Sequence, residues 1–72
     1  MRIWLKELRL KAGETLSETA EAIGMTRQGY WYIEAGKRNC KMTVARIGLL
    51  ADHFGMDMAT LAAAEAAYEK GA

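Results

Sequence analysis

Apolar residues recur along this chain at three- and four-residue intervals, the repeat of helices packed on one side. Over residues 2–12, Leu5, Leu8 and Ala12 fall in register and Trp4 widens the stripe. Ile47, Leu50, Ala51 and Phe54 repeat the pattern further on, and Met58, Leu61 and Ala62 begin another stripe. No stretch shows the strict alternation of a half-buried strand.

With seven glycines and no proline, glycine supplies the punctuation. Gly13 is placed to end the first helix. Thr15-Leu16-Ser17-Glu18 is a capping box, and it opens a second helix running to about Ile23 and stopped by Gly24. Thr26 caps a third helix, residues 27–35, with Tyr30 and Ile33 inward and Gly36 at its end. A basic loop, Lys37-Arg38-Asn39-Cys40-Lys41, follows. Thr43 caps a fourth helix ending at Gly55, and Asp57 caps a fifth. The alanine-rich tail has high helix propensity but little to bury, so fraying is expected after about Tyr68. Gly48, inside the fourth helix, marks either close helix packing or a dimer seam. These elements predict an all-α fold, a compact five-helix bundle in one domain spanning residues 1–72, with a core over about 5–61 and a helical tail over 62–72.

Composition narrows the function. The chain has 72 residues, 51% hydrophobic and 26% charged, which is globular composition with a marginal core. Chains of this size often gain stability from a partner. Cys40 is the single cysteine, which fits a reducing, cytoplasmic setting. The first residues, MRIWLKELRL, carry charges inside their apolar stretch and do not read as a signal peptide. Net charge is only +1, but its distribution is uneven. Residues 1–12 sum to +3, 13–26 to −3, 27–46 to +4 and 47–72 to −3. The central segment holds Arg27, Lys37, Arg38, Lys41 and Arg46 against Glu34. Such a local basic surface can hold phosphates on a nearly neutral molecule, although a solvated charge run has the same composition.

The second and third helices form a tight pair across a short turn containing Gly24, the arrangement of a helix-turn-helix unit. Ala20 supplies the small side chain where two such helices cross. Gly24 supplies the positive φ, Ile23 and Met25 fill the space beneath the turn, and Tyr30 and Ile33 anchor the second helix. An ordinary helical hairpin meets fewer of these demands at once. The segments LKELRLKAG, AEAIGMTR and IEAGKRN resemble the phage-repressor and Cro-type helix-turn-helix family, also called the xenobiotic-response-element (XRE) family, over about residues 5–61. The resemblance implies a lambda-repressor-like bundle whose third helix enters the major groove of double-stranded DNA. Two departures stand out. Leu16 takes the place where members usually carry a phosphate-binding glutamine, and Thr19 replaces an apolar residue, which suggests a slightly looser core.

In such a docking the first residues of the recognition helix meet base edges. Arg27 is then a ligand for guanine O6 and N7 or for a phosphate, and Gln28 for adenine N6 and N7. Tyr32, one turn beyond Gln28, faces a thymine methyl or a phosphate. The DNA-backbone contacts are assigned to Thr26, Gly29, Trp31, Lys37, Arg38, Asn39 and Lys41. Gly29 allows close approach of the backbone. Trp31 reads as a backbone wedge, a protein contact or a partly buried lid. Arg9 and Glu34 occupy the places of a structural ion pair in the family.

The remaining residues argue against chemistry. His53 has no second ligand at metal spacing, and Cys40 has no partner for zinc or redox work. Met25, Met42, Met56 and Met58 read as core filler. Neither a nucleophile–base pair nor a metal set is present, so no enzyme, metal or cofactor is expected. Two readings remain. One is a sequence-specific transcriptional regulator, a repressor acting as a homodimer through helices four and five. The other is a protein-interaction module, an antitoxin-like or anti-repressor subunit, which Leu16, Trp31 and the low net charge favour.

Overall fold

The computed structural model describes residues 1–37 and 41–71. Arg38, Asn39 and Cys40 of the basic loop lie outside the described residues, as does Ala72. Five helices follow one another: α1 (Ile3–Lys11), α2 (Leu16–Ala22), α3 (Arg27–Ala35), α4 (Val44–Phe54) and α5 (Met58–Gly71). No strand occurs among the described residues, and the fold is all-α. The chain forms two compact units, Met1–Lys41 and Met42–Ala72.

Local chemistry sets the helix boundaries. Thr15 accepts from the Glu18 backbone N–H while the Glu18 carboxylate accepts from the Thr15 N–H, so two otherwise orphaned donors are satisfied at the start of α2. Thr26 and Thr43 cap α3 and α4 through single hydroxyls. At the end of α2, Met25 N–H bonds to Ala20 C=O at 2.8 Å and Gly24 N–H to Glu21 C=O at 3.1 Å. That pair of bonds needs a left-handed residue, and Gly24 has φ 73°. The ends of α1, α3 and α4 are closed by the same two bonds around Gly13, Gly36 and Gly55.

In the first unit α1 and α2 both pack on α3. Leu5, Ala20, Ile23, Tyr30 and Ile33 are buried there. Trp4 and Leu8 are half-buried, and Ala12 is exposed because α1 ends before the stripe reaches it. The looser core expected at Thr19 does not occur. Thr19 is fully buried, and its hydroxyl donates to the Glu14 carboxylate at 2.6 Å, so a polar bond closes the space.

In the second unit α4 packs on α5, with Ile47, Leu50, Ala51 and Leu61 buried. Met42 is half-buried here, as Met25 is in the first unit, but Met56 and Met58 are exposed and do not act as core filler. α5 continues past Tyr68, where the sequence leads one to expect fraying, as far as Gly71. Alanines give up almost no side-chain entropy on becoming helical, and Lys70 in the last turn complements the helix dipole.

Gly48 is not forced by crowding. A Cβ there would meet the Met58 methyl and sulfur at 3.6 and 3.8 Å, ordinary contact distances. Gly48→Ala is therefore expected to stabilise the protein by roughly 0.5–1 kcal/mol through helix propensity. Chemical denaturation checks this; a loss of stability would mean that α4 and α5 need a closer approach than these distances require.

Candidate nucleic-acid interface

The helix that carries the candidate contacts is fixed at its C-terminal half. Arg9 of α1 is buried and uses all three guanidinium nitrogens. Its Nε and Nη2 donate to the two Glu34 carboxylate oxygens at 2.9 and 2.8 Å, and its Nη1 donates to the Glu14 carbonyl at 3.0 Å. The two-pronged bond to Glu34 holds the guanidinium pKa above its ordinary value against the opposing effect of burial. Arg2 adds a second tie. Its backbone N–H bonds to the Glu34 carbonyl at 2.8 Å and its Nη1 to the Ile33 carbonyl at 2.6 Å. A cation at the carboxyl end of α3 also complements the helix dipole. The buried role of Arg2 was missed in the sequence, where it reads as one more surface charge.

Tyr30 lies fully buried beside this cluster. Among the described residues its Oη is a buried polar atom without a hydrogen-bond partner. Burial, and then the neighbouring Glu34 carboxylate, hold the phenol well above its usual pKa of 10.0.

The amino end of α3 is open. Arg27 and Gln28 are exposed, and Thr26 is exposed beside them. The Thr26 hydroxyl accepts from the Gly29 N–H at 3.0 Å. A Cβ on Gly29 would sit 3.0 Å from that same hydroxyl, so glycine here also protects the cap. One turn on, the Gln28 Nε2 donates to the Tyr32 Oη at 2.7 Å. Trp31 is 38% exposed; its ring lies 5.5 Å from that of Tyr32, and the Lys37 ammonium stands 5.2 Å above it. Trp31 is thus a partly exposed platform that holds a cation at the helix end. Lys41 is exposed, while Arg38 and Asn39 lie outside the described residues. Leu16, at the first position of α2, is half-buried.

A short helix, a four-residue turn containing Gly24, and a second helix anchored at one end and open at the other define a helix-turn-helix unit. Residues 3–64 match the model of a helix-turn-helix domain family, and the chain belongs to it. Membership places it among DNA-binding regulators. Searches of curated proteins and of solved structures returned no match. Among the described residues no cluster of His, Cys, Asp or Glu could hold a metal ion, and no helix is long and apolar enough to cross a membrane.

Two outcomes test this geometry. Glu34→Ala strands the buried Arg9 charge and is expected to destabilise by about 3 kcal/mol in urea denaturation. The double variant Arg9→Met/Glu34→Leu loses less than Glu34→Ala alone, because no unpaired charge is left behind. The second outcome concerns Tyr30. A raised phenol pKa contributes stability that is present below pH 10 and is lost as pH climbs toward the folded value. Above pH 10 the wild type should therefore lose stability more steeply than Tyr30→Phe, by up to about 1.4 kcal/mol per pH unit. At pH 7 Tyr30→Phe should be neutral or stabilising, since it removes a buried polar atom without a partner. Unfolding measured between pH 7 and pH 11 separates the two effects.

Proposed function

We propose that the protein is a sequence-specific DNA-binding regulator that acts in the cytoplasm as a homodimeric repressor, with α3 lying in the major groove. The exposed first turn of α3, with Arg27 and Gln28 at its tip and its other end fixed by Arg9 and Arg2, carries this reading. Arg27 suits guanine O6 and N7, and Gln28 suits adenine N6 and N7. Thr26, Lys37 and Lys41, with Arg38 and Asn39 of the same loop, suit phosphates, which fix register without reading sequence. The repressor role follows the phage-repressor and Cro-type motifs of residues 5–61. The homodimer draws on exposed apolar side chains of the second unit: Val44 and Leu49 on α4, Met58 on α5.

Selection of bound sequences from a random DNA pool tests the proposal. The expected product is a palindrome with half-sites about 10–10.5 base pairs apart. Arg27→Ala and Gln28→Ala should each relax one base preference by about 1–3 kcal/mol. Lys37→Ala should weaken binding to all sequences alike and reduce the salt slope by about 1. Affinity that does not fall with added salt, or a pool with no preferred sequence, would instead favour a protein-interaction module.

A further inference from the structure

The bond between Gln28 and Tyr32 joins two side chains on the open face of α3, one helical turn apart. An amide side chain left alone rotates broadly about its last torsion and presents oxygen or nitrogen to a base with little preference. At position 28 that rotation is restrained, because the Nε2 is held by the Tyr32 hydroxyl at 2.7 Å. The amide still has its carbonyl oxygen and a second N–H. Those two groups complement the N6 donor and N7 acceptor that adenine shows in the major groove. Tyr32 is in turn steadied by its ring contact with Trp31 at 5.5 Å.

We propose that Tyr32 is a positioning residue that holds the Gln28 amide in the orientation matching adenine, so that the two side chains read one base pair as a unit. The inference rests on α3 reading the major groove. Tyr32 then contributes to specificity through Gln28 rather than by a base contact of its own. Tyr32→Phe is the informative variant, because it removes the hydroxyl and keeps the ring against Trp31.

The test measures the affinity of the wild type, Tyr32→Phe, Gln28→Ala and the double variant for the selected operator. The same operator with each other base pair substituted, position by position, and a random duplex complete the set. The wild type is expected to prefer adenine at the Gln28 position by roughly tenfold or more. Tyr32→Phe and Gln28→Ala should each lower that preference to about twofold or less, and the double variant should lose nothing further. Affinity for the random duplex, the preference governed by Arg27 and the melting temperature should stay unchanged in Tyr32→Phe. Four results overturn the inference while leaving the regulator reading intact: retained adenine preference in Tyr32→Phe, equal weakening on every sequence, additive effects of the two substitutions, or a base other than adenine at the Gln28 position. A wild type that selects no sequence overturns both together.

Discussion

The first unit depends on one guanidinium. Arg9 reaches from α1 to the Glu34 carboxylate on α3 and to the Glu14 carbonyl between α1 and α2. Glu14 in turn receives the Thr19 hydroxyl from α2. Arg9 therefore ties α1 to α3 directly, and Glu14 relays the connection to α2 through Thr19. A buried ion pair of this kind adds little net stability compared with a well-packed apolar pair. Its consequence is geometric, because two parallel N–H···O bonds fix both distance and direction. With Arg2 holding the last-turn carbonyls as well, α3 is constrained at one end, and its exposed tip inherits that orientation.

The same interactions reshape the charge distribution. By sequence, residues 1–12 are as much a basic segment as residues 27–46 nearly are. Once folded, Arg2 and Arg9 are buried and committed to α3, so the amino-terminal segment contributes less to the surface than its count suggests. Glu34, the one acid of the central segment, is buried with them. Arg27 at the start of α3 and Lys37 just beyond its end stay exposed, and both are cations. A net charge of +1 thus understates the local positive potential around α3, and local potential is what a phosphate responds to.

Much of this was legible in the sequence because its signals are local. Threonine caps, the box at Thr15–Glu18 and the glycines after α1 to α4 depend on a few neighbouring residues, and they place those boundaries within a residue or so. The turn between α2 and α3 was legible for the same reason. What escaped depends on tertiary surroundings that no local pattern announces. Arg2 meets residues more than thirty positions away, and no pattern near it announces burial. Thr19 reads as a defect in an apolar stripe until Glu14 is seen beside it. Glu65 is buried within an alanine-rich helix that carries almost no amphipathic signal. The exposure of Met56 and Met58 was hidden too, since methionine fits a core and a surface equally well.

The open face of α3 shares a feature that the list of residue types does not convey. Flexible, exposed side chains normally surrender rotamer freedom when they meet a ligand, at about 0.5–1.5 kcal/mol each. Here Gln28 is already bonded to Tyr32, and Lys37 already stands over Trp31. Two of the longest side chains on or next to the helix are thus partly ordered before any partner arrives. Their partners are aromatic residues, which have only two side-chain torsions and lose little by staying in place. An interface built this way recovers affinity and selectivity from order established during folding rather than at the moment of binding.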